Sequence, residues 1–467
     1  MKNKLDSFFK ISERGSTIRT EVLAGLTTFF AMAYIVVVNP SQVSGASGGY
    51  IWGSVYVASI LVAVIGTLLM ALYAKMPFAQ ACGMGLNAFF FVSFMLKAMD
   101  PVDAYQQGLC IVMLSGVLFM ILSLTGAREY IARALPDCLK KSIPAGIGLF
   151  IAFIGLQNTS VQLVQDNPFV LVQLFDFHGA VDGKSFFDAW KAIASPILAL
   201  AGLLAMAALA KKKVKGNIII SILGVSVLYY LTTWTAPDFE MDTITNSFKA
   251  FGEIGIFGAF KGFDVFSGGF DAVVTAIVLI ITFTLVDMFD TIGTLYGTAS
   301  QADMLDENGD PQNLKQCMNS DSIATVAGAI LGTSTCTTFV ESSAGVAAGG
   351  RTGLASVVTA VCFFLCLFLT PLAAIIPACA TAPALIYVGV LMLKGFAKVD
   401  MEDITSAVPA FLTLVMMPLT YSISNGIAMG AISYVALRAC TGKYTKKDIP
   451  VTIIAVLFAI RFFAVTM

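Results

Sequence analysis

Long apolar runs, most of them about as long as a bilayer is thick, recur through nearly the whole chain. A helix that crosses a membrane needs about 20 mainly apolar residues. Full-length runs lie at 22–38, 52–74, 106–124, 192–210, 269–290, 353–376, 404–421 and 424–440. Shorter or interrupted runs lie at 79–96, 142–157, 217–232, 320–332, 334–348 and 383–395. The sequence therefore predicts an all-α polytopic membrane protein with fourteen transmembrane helices.

Charge is too scarce for a soluble protein. Charged residues make up 12% of the 467 residues and hydrophobic ones 57%, whereas soluble domains carry about 25% charge. The net charge of −1 gives no reason to expect a nucleic-acid partner. Most of the nine cysteines lie in apolar runs and none forms a paired C-x-x-C spacing, so we interpret them as small buried hydrophobes rather than metal ligands.

Basic residues indicate how the chain is oriented. They cluster before the first span and after the fourth, sixth, twelfth and fourteenth spans. With fourteen spans in total, all of these segments fall on one side of the membrane. The clusters are Lys2, Lys4, Lys10, Arg14 and Arg19; Arg128, Arg133, Lys140 and Lys141; Lys211, Lys212, Lys213 and Lys215; Lys394 and Lys398; and Lys443, Lys446 and Lys447. We expect a cytoplasmic N-terminal segment, 1–21, in a protein of the cell's inner (plasma) membrane. The long loops 158–191 and 233–268 would lie outside.

The two halves of the chain share a weak pattern. SIPAGIGLFI at 142–151 aligns with TAPALIYVGV at 381–390, so that Pro144 matches Pro383, and each proline would open a short span. Halves of seven spans have an odd number and must be inverted across the bilayer, which is a transporter architecture. The apolar tail 449–467 lies beyond this plan and could cross the membrane or lie along its surface.

Two spans contain sequences that make poor helices. QACGMGLNAFFF at 80–91 and GTSTCTTFVESSAGVAAGGRTG at 332–353 are rich in Gly, Ser and Thr. We predict an extended stretch followed by a half-helix in each, and such backbone at membrane depth must be buried or line a wet cavity. The alternative is that the small residues only allow close helix packing. In Phe89-Phe90-Phe91, one ring could stack on a planar ligand, while packing or lipid contact is expected for the others.

Three acidic residues lie well inside predicted spans: Asp287, Asp290 and Glu341. A carboxylate in the bilayer interior costs at least about 2–3 kcal/mol and is therefore functional by default; the alternative is a structural cap or a hydrogen bond between helices. Asp321 differs, because Asn319-Ser320-Asp321 opens a predicted span and is typical of an N-cap.

The acids have no basic partner at mid-depth, since Arg351 falls at the inner boundary. Carboxylates without a cation suit a ligand rich in N–H donors, or a proton. The lone histidine, His178, lies in an outer loop and is expected to be solvated, so a proton relay must use carboxylates.

Long ordered segments resemble the AzgA-like purine permeases of the nucleobase/ascorbate transporter family. They are FFKISERGSTIRTEVLAGLTTFFAMAYIVVVNP at 8–40, GMGLNAFF at 83–90, VDMFDTIGT at 286–294, TSTCTTFVESSAGVAAGGRTGL at 333–354 and TAPALIYVGVLML at 381–393. The resemblance implies two inverted repeats of seven spans. It also implies a core domain (22–124 and 269–376, spans 1–4 and 8–11), a gate domain (142–232 and 383–440, spans 5–7 and 12–14) and a C-terminal segment, 441–467.

The resemblance further implies proton-coupled uptake of adenine, guanine or hypoxanthine, with no cofactor besides the proton and a possible homodimer. Glu341 would hold the purine edge and Asp287 would be a second clamp, with Asn87, Gly85, Thr337 and Phe339 completing the binding set. Proton coupling would fall to Asp290, together with Asp287 and Glu341. The uracil-type branch has a histidine in its eighth span where this chain has Thr291 and Ile292, so that branch's coupling scheme does not transfer.

Two other classes of function remain as alternatives. An ion channel or anion exchanger could share the architecture, although the lack of mid-membrane cations disfavours anions. A membrane-embedded enzyme is not expected, since the sequence offers no metal cluster and no nucleophile–base pair.

Overall fold

A computed structural model describes residues 2–45, 49–96, 98–125, 136–159, 161–167, 170–212, 214, 216–237, 242–301, 304–305, 311–339, 341–420 and 422–464. Among these residues, eight helices are long and apolar enough to cross a membrane, and three shorter apolar helices accompany them. The eight are Ile18–Ser44, Tyr50–Ala74, Pro101–Thr125, Asp137–Gln157, Phe186–Lys211, Phe270–Ile292, Gly353–Ala374 and Ala378–Lys398; the shorter three are Met84–Met95, Asn217–Thr233 and Ile404–Leu419. The chain is therefore a multi-pass membrane protein, and the count of fourteen stays a prediction.

Several of these spans are interrupted. The first consists of the helices Ile18–Met32 and Ile35–Ser44, and the span from Gly353 is helical over Gly353–Leu365 and again over Thr370–Ala374. The remaining helices are Lys2–Phe9, Phe177–Val181, Asp242–Ala250, Leu314–Leu331, Ser342–Ala347, Ile423–Cys440 and Ile449–Ala464, and Phe270–Ile292 belongs to a longer helix, Phe270–Gln301. The apolar tail predicted at 449–467 is thus helical as far as the structure describes it, and it packs on Ile423–Cys440 and Phe270–Gln301.

Two short strands from opposite halves of the chain pair in the interior. Strand β1 (Gln80–Cys82) runs antiparallel to a strand formed by Cys336–Thr338, with Ala81 opposite Thr337. Both strands are fully buried, so their backbone groups satisfy each other where water is absent. Each strand leads into a short helix, Met84–Met95 and Ser342–Ala347. The predicted extended stretch followed by a half-helix is confirmed in both segments. We call these four elements the crossing strands and the two half-helices.

Most of the long helices pack in two groups, and Phe270–Gln301 contacts members of both. One group surrounds the crossing strands and contains Ile18–Ser44, Tyr50–Ala74, Pro101–Thr125, Leu314–Leu331 and Gly353–Leu365. The other contains Asp137–Asn158, Phe186–Lys211, Asn217–Thr233, Ala378–Met392, Ile404–Leu419 and Ile423–Cys440. The half-helix Met84–Met95 contacts Asp137–Asn158, so it lies where the two groups meet.

The sequence pattern predicted that Pro144 and Pro383 each open a helix. This prediction is wrong. Pro144 lies inside Asp137–Asn158 and Pro383 inside Ala378–Met392, because the first helix begins in the polar residues from Asp137 and the second begins directly after Pro377. Inside a membrane protein such prolines are tolerated when neighbours satisfy the freed backbone. The two helices approach so closely that a β-carbon on Gly389 would lie 2.3 Å from the carbonyl oxygen of Gly148. Small residues at such crossings are typical of membrane helices.

The assignment of Asp321 as an N-cap is also wrong. Its helix starts at Leu314 and ends at Leu331, with Asn313 in the N-cap position, so Asp321 lies in the middle of the helix and is fully buried. The polar residues before Asn319 concealed this start, because the span was placed by its apolar stretch alone. The polar turns are buried against protein instead of facing lipid.

The loop between the fifth and sixth predicted spans has structure of its own. Strands β2 (Gln162–Asn167) and β3 (Val170–Leu174) form a hairpin, and a short helix, Phe177–Val181, follows it. We number the strand Cys336–Thr338 β4 in chain order. His178 lies exposed in that short helix, as predicted.

Candidate functional site: a carboxylate-lined cavity at the crossing strands

A cavity of about 350 Å³ lies against the crossing strands and the starts of both half-helices. We call it the central cavity. It extends along Ala378–Met392 as far as Met392 and reaches Asn217 at the start of Asn217–Thr233, so both groups of helices line it. The lining residues are Ala31, Gly83, Met84, Gly85, Asn217, Ile218, Asp290, Thr294, Thr337, Thr338, Phe339, Glu341, Ser343, Ala344, Tyr387, Val388, Leu391 and Met392. Concave, mainly apolar pockets with a few polar groups are the usual form of small-molecule sites.

Glu341 stands at the edge of this cavity, in the N-cap position of the half-helix Ser342–Ala347. Its Oε1 accepts a hydrogen bond of 2.8 Å from the hydroxyl of Tyr34, which is fully buried where the first span is interrupted. The bond holds the carboxylate in place while the half-buried side chain still faces the cavity. Sequence reasoning did not find Tyr34. A tyrosine hydroxyl in the middle of an apolar span is the signal that could have pointed to it.

Asp290 is the second carboxylate of the cavity. It lies beside Gly83, so that a β-carbon on this glycine would be 3.9 Å from the Oδ2 of Asp290 and 3.2 Å from the methyl carbon of Thr337. The glycine therefore keeps open the space between the acid and the crossing strands. Asp290 and Glu341 come from different helical segments, and both are half-buried against the same cavity.

Asp287 and Asn87, which the resemblance places in the binding set, lie outside the residues that line the cavity. Oδ2 of Asp287 accepts a bond of 3.0 Å from Thr325, and Asn87 accepts one from Ser334 through its Oδ1. Both side chains are fully enclosed by protein. Asp287 is three residues before Asp290, and it bonds Thr325 of the helix Leu314–Leu331 while Asp290 lines the cavity.

Asp321, which the sequence did not identify as a site residue, anchors the crossing strands. Its Oδ1 accepts bonds from Gln80 (2.8 Å) and Thr338 (3.3 Å), which are opposite each other in β1 and β4, and its Oδ2 accepts one from Thr291. The Thr291 hydroxyl also contacts that of Thr337, at 2.9 Å, and Thr337 lines the cavity. A chain of polar groups thus joins the cavity to a buried carboxylate.

The other predicted binding residues lie at the cavity wall. Phe339 donates its backbone N–H to the carbonyl of Ala79 (3.0 Å), which extends the pairing of the crossing strands. Gly85 belongs to the half-helix and packs against Ile147 of the other helix group, where an added β-carbon would lie 2.4 Å from Cγ2 of that isoleucine. Gly85 therefore allows a close contact between the two groups, in addition to lining the cavity.

The lining residues include neither Lys nor Arg among those that the structure describes. The guanidinium of Arg351 instead donates to the carbonyls of Val346 (2.7 Å) and Gly350 (2.8 Å), past the end of the second half-helix. Within the described ranges, His, Cys, Asp and Glu form no cluster that could hold a metal ion. The cavity can therefore accept hydrogen bonds at two carboxylates without charge compensation from a cation.

The fold and the cavity define a membrane transport protein of the kind built around paired half-helices. Residues 19–429 match the family model described as Permease family. The chain belongs to this family, and the resemblance to the AzgA-like purine branch of the nucleobase/ascorbate transporters is confirmed. Permeases move their substrates without converting them, so the family is not one of enzymes.

Named relatives cover the full length of the chain. The guanine/hypoxanthine permease PbuO of Bacillus subtilis is 40% identical over 97% of this chain and 99% of its own. The adenine permease AdeQ of Escherichia coli is 36% identical over 98% of this chain and 96% of its own. Among solved structures, the transmembrane domain of a cyanobacterial bicarbonate transporter, BicA, superposes with a TM-score of 0.62 over 87% of this chain and 96% of that domain. At 16% identity, this similarity concerns the fold alone.

Proposed function

We propose that the chain is a secondary active transporter that takes up purine nucleobases together with protons. The observation that carries the proposal is the pair of carboxylates, Glu341 and Asp290, in one cavity at the crossing strands. The two relatives named above are permeases for guanine/hypoxanthine and for adenine, and they support the substrate class.

A purine suits the cavity because its edge carries several N–H donors on a flat, neutral ring. Glu341, held by Tyr34, would accept two of these donors through its carboxylate. Asp290 would contact the ring from another point of the lining, in place of the clamp assigned to Asp287. Phe339 and Tyr387 supply aromatic surface in the same lining. A cavity of about 350 Å³ is at the small end of ligand sites, as a purine requires.

Proton handling would belong to the same acids. Asp290 would take the proton at the cavity, since it lines the cavity with neither Lys nor Arg among the described lining residues. Asp287 and Asp321 would stabilise the core behind it through Thr325, Thr291 and Gln80. Because His178 is exposed in a distant loop, no imidazole would take part.

Alternating access would use the two helix groups. We assign the group around the crossing strands to a core domain and the other to a gate domain, as parts of two inverted seven-span repeats. The central cavity extends toward Met392, near the basic residues Lys394 and Lys398 that we place in the cytoplasm with the N-terminus. On this assignment, the structure is the state that opens inward, in a cell's inner membrane.

An anion exchanger or channel of the same architecture is the other candidate, because the BicA domain shares the fold. Two carboxylates, with no cation among the described lining residues, disfavour an anion at this site.

Uptake into liposomes tests the proposal. Purified protein should accumulate radiolabelled hypoxanthine, guanine or adenine when an inward proton gradient is imposed, and a protonophore should abolish accumulation. Absence of uptake of every purine under that gradient would refute purine transport, and conductance that does not depend on purine would favour a channel.

A further inference from the structure

A second cavity, of about 520 Å³, lies further along the half-helix Met84–Met95 than the central cavity. Along this half-helix, Gly85 lines the central cavity and Ala88 the second one; along Ala378–Met392, the corresponding residues are Val388 and Leu385. Each pair is separated by about one helical turn, or about 5 Å. Gly85, which lines the central cavity, also makes the close contact with Ile147.

The second cavity contains an amide without a partner. Gln42 is 4% exposed, it lines this cavity, and neither its Nε2 nor its Oε1 has a hydrogen-bond partner among the described residues. Gln157, from the other helix group, lines the same cavity, and its Nε2 is also buried without a partner. A buried amide that lacks partners is costly, and replacing it with an apolar group of the same shape is then close to neutral for stability. Two such amides aimed into one cavity indicate a polar ligand there.

Aromatic rings line the cavity beside these amides. Trp52 stacks on Tyr56 with ring centroids 5.1 Å apart, and its indole N–H donates to Ser41 (3.2 Å), so the ring is fixed in its orientation. Phe91 of the half-helix also contributes to the lining. An amide offers a donor and an acceptor side by side, which matches the donor–acceptor edge of a heterocyclic base.

We propose that the second cavity is an entry subsite, in which Gln42 and Gln157 bind a neutral planar nucleobase before it reaches the central cavity. The inference rests on the proposed function. It adds a binding site in which amides, without any carboxylate, hold the base at the junction of the two helix groups.

The test measures purine uptake and equilibrium binding in Gln42→Leu, and compares them with Glu341→Gln, which changes the central cavity instead. Gln42→Leu should raise KM for purine uptake from the outer side at least about fivefold, leave binding at the central cavity of the purified protein unchanged, and leave the melting temperature unchanged or higher. Gln157→Leu should give the same pattern and serves as a second variant. Gln107→Leu is the matched control, because Gln107 has a partner, Asp264, and does not line the cavity.

The outcomes separate this inference from the proposed function. An unchanged KM in both glutamine variants would overturn the subsite while leaving purine transport in place. A loss of binding at the central cavity by the same factor as the rise in KM would also overturn the subsite while leaving purine transport in place. Wild-type protein that binds no purine would overturn both.

Discussion

The contact between Gly85 and Ile147 makes the transport cycle sensitive to a single methyl group. In Gly85→Ala, the new β-carbon would lie 2.4 Å from Cγ2 of Ile147, whereas carbon atoms in contact are about 3.5–4.0 Å apart. The half-helix or the Ile147 side chain must therefore shift by about 1.1–1.6 Å. Overpacking of this kind costs about 1–3 kcal/mol, which corresponds to about a 5-fold to 150-fold smaller population of the state with this contact.

Initial rates of purine uptake into proteoliposomes measure the effect. Gly85→Ala should slow uptake by up to that factor, and Gly85→Ala combined with Ile147→Ala should recover most of the rate. The recovery follows from the geometry, because the nearest remaining atoms would be Ile151 Cδ1 at 3.7 Å and Ile147 Cβ at 3.9 Å. Gly224→Ala is the control: this glycine also lies in a helix, and its added β-carbon meets nothing within 4 Å.

Two results would refute this reasoning. One is a Gly85→Ala protein that transports at the wild-type rate. The other is a slow Gly85→Ala protein that the removal of the Ile147 side chain does not rescue, since the loss would then not come from the contact.

Two further substitutions probe the acids of the central cavity. Tyr34→Phe removes the hydrogen bond to Glu341. A net loss of about 0.5–1.5 kcal/mol should weaken purine affinity about 2-fold to 12-fold. Equilibrium binding measures this affinity, and Tyr387→Phe is the control because it makes the same change elsewhere in the lining. An affinity equal to that of the wild type would exclude the positioning role of Tyr34. Asp290→Asn should impair proton-driven accumulation more than equilibrium binding, as measured by uptake with and without a gradient; full accumulation by this variant would remove Asp290 from coupling.

The sequence predicted the broken helices because their composition is unusual at membrane depth. Thr333 to Thr338 is a poor helix former, and the glycines at 83 and 85 interrupt an apolar run. These are local properties. The structure confirms both extended stretches and both half-helices at these positions.

The partners of the acids could not be predicted in the same way. Tyr34 meets Glu341 across 307 positions of sequence, and Gln80 meets Asp321 across 241. Such pairs depend on how helices pack, which no local pattern encodes. Asp321 was assigned to a helix start because an apolar window misses helical turns that are polar and yet buried against protein. Asp287 and Asp290 are spaced by one turn, but only the packing of that helix decides which one faces the cavity.

Equilibrium binding of radiolabelled purines to purified wild-type protein and to Glu341→Gln tests the central claim most directly. The wild type should bind hypoxanthine, guanine or adenine saturably, with competition by other purines and little by uracil. Glu341→Gln should lose this binding while keeping the wild-type melting temperature, because the amide still accepts the bond from Tyr34 but presents a mismatched donor to the purine edge. Wild-type affinity in the Glu341→Gln protein would contradict the carboxylate site.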